Sequence, residues 1–327
     1  MINLKQIGTA TFLSLTFLVT TFAQENQELT QILNNLQVEL VQPGTISTNG
    51  FEFGTSISPD SKELFFVKGI SGFRRTVLVY STWQDGYWSK PKIAPFSGQY
   101  RDGNPYHAKD GKGLYFTSSR PTSNPELGAT NLWFVARNDQ GWSEPELVKG
   151  AVNDKHEIVY PTVQADKTIH FVSWSRPGSK GGDIFVSKYE NGTYTSPELV
   201  DELNTPASDA DPEISPDGNY LYLTSQREGG LGHYDLYIFK KQKDGKWGKG
   251  INLGPKINSR NMDSDPILSP DGQTLYFSSD KLGEIAAGQD KFTEYDTLVE
   301  SLDQIHNGLM NIYKVDLSSL LSYLDRS

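Results

Sequence analysis

One short phrase recurs along the chain at a spacing of about fifty residues, and this repeat limits the fold more than any other feature. Ser215-Pro216-Asp217-Gly218 returns as Ser269-Pro270-Asp271-Gly272, and a close variant, Ser58-Pro59-Asp60-Ser61, precedes both. Alignment on the aspartate reveals two degenerate copies as well, so that five units follow one another, with aligned residues Asp60, Asp110, Asp166, Asp217 and Asp271. A period of this length is typical of β-propellers and other repeat arrays.

Each unit carries the pattern of several short strands. The Pro, Asp and Gly of the phrase favour a tight turn. An alternating apolar and aromatic run follows, as in Leu221-Tyr222-Leu223, and a second run comes after it. In the first four units a Gly and an aromatic residue then introduce a fourth strand. We therefore predict an all-β fold, a five-bladed β-propeller of four-stranded blades.

The fifth unit has no fourth strand after Val315, and the missing strand is found at the other end of the chain. Val38-Glu39-Leu40-Val41 matches Pro145-Glu146-Leu147-Val148 and Pro197-Glu198-Leu199-Val200, which lie on fourth strands. Joining the first and last blades would remove an open sheet edge. We predict that the N-terminal strand completes blade five.

The rest of the chain divides into short segments. Lys5, an apolar run and Ala23 are typical of a secretory signal peptide over residues 1–23, which predicts a periplasmic or secreted protein. Residues 24–37 form a lead-in, and residues 38–327 a single propeller domain. An insertion at about 282–307 has apolar residues at helical spacing, which indicates either a packed decoration or a lid or partner-docking helix.

Composition narrows the possible partners. The formal charge of -10 argues against nucleic acid, because phosphate binding needs clustered Lys and Arg. The chain has no cysteine, so we expect neither a disulfide nor a lipid-modified cysteine. No segment after residue 23 reaches the roughly 20 apolar residues of a spanning helix, and we expect a monomer without a membrane span.

The fullest unit reads Asp-x-Asp-Pro, Ser-Pro-Asp-Gly, Leu-Tyr, Arg and Asp-Leu-Tyr over residues 209–237. It resembles the WD-like propeller repeat of TolB-type periplasmic proteins, over residues 38–315. The resemblance implies secretion and a binding role at a channel mouth. This chain departs from TolB in leaving no room for a separate N-terminal α/β domain.

Two acidic positions recur before the aligned aspartate, and we expect both at one mouth of the central channel. Eight residues before it stand Glu52, Asp102, Ile158, Asp209 and Asp263; six residues before it stand Gly54, Asn104, Tyr160, Asp211 and Asp265. These carboxylates either pair with the basic residue that follows the second strand or bind a hard cation such as Ca²⁺. We expect no other cofactor. Two of them could also act as acid and base on a glycoside.

The third unit differs from the others. It has Tyr160 and Trp174 where small or acidic residues and serine are usual, and His156 and Glu157 lie beside the same strand. Aromatic and acidic side chains together suit a sugar ring or a cation; the alternative is that Trp174 packs between blades. His107 fills a position that is otherwise apolar, so it is a buried imidazole or a channel ligand.

No nucleophile elbow, phosphate loop or zinc-helix motif is present, and we assign no catalytic residue. The regular repeat favours a binding or scaffold propeller whose channel mouth takes a protein, peptide or glycan. The alternative is a carbohydrate-active enzyme, similar to glycoside hydrolases, that uses paired acidic residues at the channel rim.

Overall fold

The computed structural model describes residues 27–70, 72–283, 288 and 291–326. The predicted signal peptide therefore lies outside the described residues. Helix α1 (27–35) and strand β1 (Val38–Leu40) precede the first blade. Five antiparallel blades follow, and their innermost strands neighbour one another around a ring that closes from the fifth blade back to the first.

Each of the first two blades has an outer edge that is split into two short strands, both paired with the third strand. Blade 1 contains β2 (Phe51–Ile57), β3 (Glu63–Ile70), β4 (Arg75–Gln84), β5 (Tyr87–Trp88) and β6 (Lys92–Ile93). Blade 2 contains β7 (Asp102–His107), β8 (Gly113–Ser118), β9 (Asn131–Asn138), β10 (Gly141–Trp142) and β11 (Glu146–Leu147).

The next two blades have simpler outer edges. Blade 3 contains β12 (Val159–Val163), β13 (Ile169–Ser173), β14 (Asp183–Ser187), the small ribbon of β15 (Tyr189–Glu190) and β16 (Thr193–Tyr194), and β17 (Glu198–Leu199). Blade 4 contains β18 (Asp209–Ile214), β19 (Tyr220–Ser225), β20 (Asp235–Lys240) and β21 (Ile251–Asn252).

Blade 5 is assembled from both ends of the chain, which confirms the predicted closure. It contains β22 (Asp263–Leu268), β23 (Thr274–Ser279) and β24 (Asn311–Asp316), and β1 pairs antiparallel with β24. Val38 lies opposite Val315, and Leu40 opposite Tyr313. Helix α2 (Tyr295–Leu302) lies between β23 and β24, and helix α3 (Ser318–Arg326) follows β24.

The terminal helices cover the closing blade. Leu33 of α1 and Leu320 and Leu324 of α3 are buried in one apolar cluster with strands of blades 4 and 5. An ion pair joins the helices, since Arg326 Nη2 lies 2.9 Å from Glu28 Oε1. The edge that a propeller must protect is thereby both paired and covered.

The repeated phrase is a turn between the first two strands of a blade. In blade 4 the Ser215 hydroxyl donates to Asp217 Oδ1 at 2.5 Å and accepts the Tyr220 amide at 2.9 Å. The same pair of contacts recurs at Ser58 and Ser269. These recurring residues shape the hairpin at one end of the channel.

Candidate functional site

The acidic residues eight positions before the aligned aspartate lie inside the blades. Glu52, Asp102, Asp209 and Asp263 each have an exposed fraction of 0%. Asp209 is held most completely: its carboxylate accepts the Thr205 amide at 2.6 Å, the Thr205 and Ser225 hydroxyls at 2.7 and 2.5 Å, and Arg227 Nη2 at 2.6 Å. These oxygens face protein donors and not solvent.

The other blades vary this arrangement. Asp102 accepts the hydroxyls of Ser97 and Ser118, and Arg120 Nη2 lies 3.1 Å away. Glu52 pairs with Lys68. Asp263 accepts the Ser259 amide at 2.5 Å, and burial raises its pKa.

Blade 3 has Ile158 at this position, and the neighbouring Glu157 takes over the hydrogen bonds. Its carboxylate accepts the Trp174 amide at 2.6 Å, the Ser173 hydroxyl at 3.3 Å, and the Ser175 hydroxyl. Partial burial raises the pKa of Glu157, but these hydrogen bonds outweigh it and the net shift is downward. His156 Nδ1 lies 3.3 Å from the Ser175 hydroxyl. Glu157 thus fixes the segment that carries Trp174.

The position six residues before the aligned aspartate is a bulge in the innermost strand of every blade. The pairing register shifts there in β2, β7, β12, β18 and β22, and the bulged residue has a φ between 47° and 58°. Gly, Asn and Asp tolerate this left-handed conformation, whereas a tyrosine rarely adopts it. Tyr160 is therefore held in a strained backbone conformation, which is often a mark of a functional position.

The bulges turn their side chains into the channel and narrow it to a waist. Asp211 and Asp265 lie side by side there, with the Asp265 amide 3.2 Å from Asp211 Oδ2. Burial raises the pKa of both carboxyls, and the charge of Asp265 raises that of Asp211 further. Burial and these two carboxylates also raise the pKa of the Tyr160 hydroxyl well above its usual range. The waist is thus a buried, acidic constriction.

One end of the channel, the upper mouth, is a small cleft with aromatic walls. Its volume is about 160 Å³, and Phe53, Phe73, Arg101, Tyr160 and Trp174 line it. Trp174 and Phe73 are 46% and 48% exposed. A Cβ on Gly182 would lie 2.8 Å from the Trp174 ring, so this glycine leaves room for the indole. The structure brings Tyr160 and Trp174 together, as the sequence suggested for the third unit.

The other end of the channel opens into a larger cavity of about 500 Å³, the lower cavity, beside the Ser-Pro-Asp-Gly turns. Glu213 is 1% exposed in its wall. Its carboxylate accepts the hydroxyls of Tyr106 and Thr162, at 3.1 and 3.3 Å. Lys109 Nζ lies 3.9 Å from Glu213 Oε1 and 4.9 Å from the centre of the Tyr106 ring. Burial raises the pKa of Glu213, although Lys109 and the hydrogen bonds partly offset this.

His107 lies in the wall of the lower cavity and is buried. Its Nδ1 is 2.9 Å from the Ser56 hydroxyl, and Nε2 has no hydrogen-bond partner in the described part of the chain. Burial lowers the pKa of His107 to about 3, so the imidazole is neutral near pH 7. The structure therefore makes it both a buried imidazole and a wall residue of the channel.

Sequence reasoning passed over Glu213, although a signal existed. The position four residues before the aligned aspartate holds a different residue in each unit, namely Ser56, Tyr106, Thr162, Glu213 and Ile267, and all five line the lower cavity. A position that every blade shares but fills differently is not needed by the scaffold. Such variation would have directed attention to the channel wall.

The described residues contain neither a cluster of metal-ligating side chains nor a membrane-spanning helix. No group of three or more His, Cys, Asp or Glu side chains that could hold a metal ion occurs among them. No helix in the described ranges is both long and apolar enough to cross a membrane.

Comparison with known proteins yields remote structural likenesses. No protein-family model and no curated protein matches the chain. The chain is similar to TolB from Acinetobacter baumannii (15% identity, TM-score 0.46), with 82% of this chain covering 54% of that one. It is similar to an endo-arabinanase of Bacillus licheniformis, with 13% identity, a TM-score of 0.49, and 83% of this chain covering 96% of that one. It is also similar to an α-L-arabinofuranosidase of Lactobacillus brevis, with 12% identity, a TM-score of 0.47, and 85% of this chain covering 94% of that one.

Proposed function

We propose that this chain is an exported binding propeller that takes a protein or peptide ligand at the upper mouth. The observation that carries the proposal is the exposure of Trp174 and Phe73 in one cleft with Tyr160 and Arg101. Trp, Tyr and Arg are the residues that most often dominate binding energy at protein interfaces. The repeat's resemblance to TolB-type proteins also implies binding at a channel mouth and export, with residues 1–23 as the leader.

The polar groups of the cleft favour a peptide over a glycan. A sugar site needs polar groups free to bind hydroxyls beside its aromatic platform. Asp102 is occupied by two serines and Arg120, and Asn104 Oδ1 accepts the Thr117 hydroxyl at 2.8 Å. A cleft of about 160 Å³ accommodates one apolar side chain. We infer that a partner inserts such a side chain between Trp174 and Phe73.

The alternative enzyme would need two accessible carboxylates at the rim. Glu52, Asp102, Asp209 and Asp263 are fully buried, and each accepts protein donors. A general acid or base must be within reach of the proton that it transfers. The contacts of these residues therefore favour a scaffold role and a propeller that binds without chemistry.

Peptide selection with a matched control tests the proposal. A displayed peptide library is selected on the wild-type chain, and enriched peptides are measured against Trp174→Ala and Trp83→Ala. Trp83 is 45% exposed in β4, almost the same as Trp174, and it does not line the upper mouth. We expect Trp174→Ala to weaken binding at least tenfold and Trp83→Ala to leave it unchanged. Equal affinities for both variants, or binding only to a glycan array, would refute the proposal.

A second candidate function, binding of a small amine in the lower cavity, rests on the loose position of Lys109. The Lys109 ammonium lies near the Glu213 carboxylate and over the Tyr106 ring, but it makes no hydrogen bond to the carboxylate. The ammonium of a ligand would be stabilised in the same place by the same carboxylate and ring. A calorimetric screen of primary amines tests this. Lys109→Met should strengthen binding and Glu213→Gln should abolish it, whereas Lys112→Met, at a side chain 81% exposed, should have no effect. Amines that bind neither wild type nor Lys109→Met would eliminate this candidate.

A further inference from the structure

The channel waist contains two buried carboxylates without a positive partner. Asp211 and Asp265 are each 6% exposed and adjoin each other through the Asp265 amide. Within residues 27–70, 72–283, 288 and 291–326, no Lys, Arg or His nitrogen lies within 4.0 Å of either carboxylate. Two neighbouring negative charges in a buried site are costly unless something neutralises them.

Several oxygens at the waist also have no hydrogen-bond partner. Oδ1 of Asp211 and Oδ1 of Asp265 accept no hydrogen bond of good geometry among the described residues, although the Thr224 and Ser278 hydroxyls are close enough to lower the pKa values of the two carboxyls in part. Nor, within the same ranges, does the hydroxyl of Thr55, a residue only 2% exposed that lines the same void as the two aspartates. Native proteins rarely leave buried polar atoms unpaired, and a bound ion or water is a usual partner for such atoms. The three oxygens thus indicate a single ligand that accepts an electron pair from each of them.

The size of the void restricts that ligand. Its volume is about 30 Å³, enough for one ion and a water molecule but not for an organic molecule. Gly54 contributes no side chain on the blade 1 side, and a Cβ there would come 3.9 Å from Asp265 Oδ1. The bulge in each inner strand directs these oxygens toward the channel axis.

We propose that the waist binds one divalent hard cation, with Ca²⁺ the best match, between Asp211 and Asp265. The charge balances, since two carboxylates neutralise one divalent ion. Carboxylate, hydroxyl and water oxygens are the ligands that Ca²⁺ takes in proteins. Thr55 supplies the neutral oxygen, and the ion joins blades 1, 4 and 5 at the axis. The site extends beyond the proposed peptide function, since it needs no partner at the upper mouth.

Thermal unfolding and calorimetry of the full chain test the site. The chain is stripped with EDTA and titrated with CaCl₂, alongside Asp265→Asn, Thr55→Val and the exposed control Asp244→Asn, which matches the charge change. We expect Ca²⁺ to bind the wild type and Asp244→Asn and to raise their melting temperatures. Asp265→Asn should bind at least tenfold more weakly, and Thr55→Val should be weakened to a smaller extent.

The stripped variants provide a second readout that a merely structural role would not give. Asp265→Asn removes one of two repelling charges, so without Ca²⁺ it should melt above the stripped wild type, and added Ca²⁺ should raise its melting temperature by less than that of the wild type. A wild type that binds none of Ca²⁺, Mg²⁺ and Mn²⁺ would overturn the proposal and indicate a proton shared by the carboxyls. Ca²⁺ binding that is equally strong in Asp265→Asn and Thr55→Val would overturn it by placing the ion elsewhere.

Discussion

Replacing Asp209 by alanine should destabilise the propeller while leaving its ligand site intact. The carboxylate is fully buried in blade 4 and accepts four hydrogen bonds of 2.5–2.7 Å, one of them from Arg227. Alanine removes the acceptor of all four donors. Arg227 keeps the Leu203 carbonyl at 3.2 Å and two aromatic rings at 5.0 Å, but it loses its counter-charge.

The size of the effect follows from this pairing. Removing one partner of a buried ion pair costs about 3–5 kcal/mol, mostly because the other charge is left unpaired. The Arg227 side chain is 18% exposed, and water can reach it in part, so we expect the lower half of that range. Among the described residues, the exposed Asp244 accepts a hydrogen bond from the Lys246 amide alone, and Asp244→Ala should cost less than about 1 kcal/mol.

Urea unfolding monitored by tryptophan fluorescence measures both variants. With a slope of about 3 kcal/mol per molar, a loss of about 3–4 kcal/mol lowers the midpoint by roughly 1 M. The refuting result is an unchanged midpoint together with loss of ligand binding. It would mean that Asp209 contacts ligand and that the rim acids belong to a working site, as the enzyme alternative requires.

Three further predictions concern the channel. His107→Leu should flatten the pH dependence of the free energy of unfolding. The folded-state pKa of His107, about 3, lies below the unfolded value of about 6.5, so the wild type loses about 1.4 kcal/mol per pH unit as the pH falls below 6.5. Urea midpoints of both chains at pH 7 and pH 4.5 measure this difference. Gly54→Ala should cost about 1 kcal/mol at its φ of +58°, and Gly54→Val clearly more; equal urea midpoints would contradict the strain argument. Gly182→Ala should displace the Trp174 indole and weaken the selected peptides as Trp174→Ala does, with circular dichroism unchanged; unaltered affinity would remove Trp174 from the site.

The blades and their closure were predictable because the turns, the inner strands and the closing strand each left a local signal in the sequence. The turn phrase sets the hairpin, the alternating runs set the strands, and Val38-Glu39-Leu40 repeats the pattern of other outer strands. The split outer edges of blades 1 and 2 were not predicted. They arise because β4 and β9, of 10 and 8 residues, extend past the sheet and pair with two short strands in turn.

The candidate site was only partly predictable, and the bulge is the physical reason. In a regular strand two residues at i and i+2 point to the same side, so Asp209 and Asp211 were expected at one mouth. The extra residue of a bulge changes that direction. Asp209 consequently lies within the blade among its hydrogen-bond donors, whereas Asp211 lines the channel waist. Sequence periodicity does not reveal a bulge that occurs in every repeat.

An internal repeat therefore separates scaffold from site through variation and not through recurrence. Ser215 recurs in three units and holds a turn, and Asp209 recurs in four units as an acid that holds a blade. Trp174 and Glu213 have no counterpart in the other units, and each lines an opening of the channel. Since every blade needs the same turn and the same buried pair, a residue present in only one blade is free of that requirement. The asymmetric residues of this symmetric fold are accordingly where binding should be sought first.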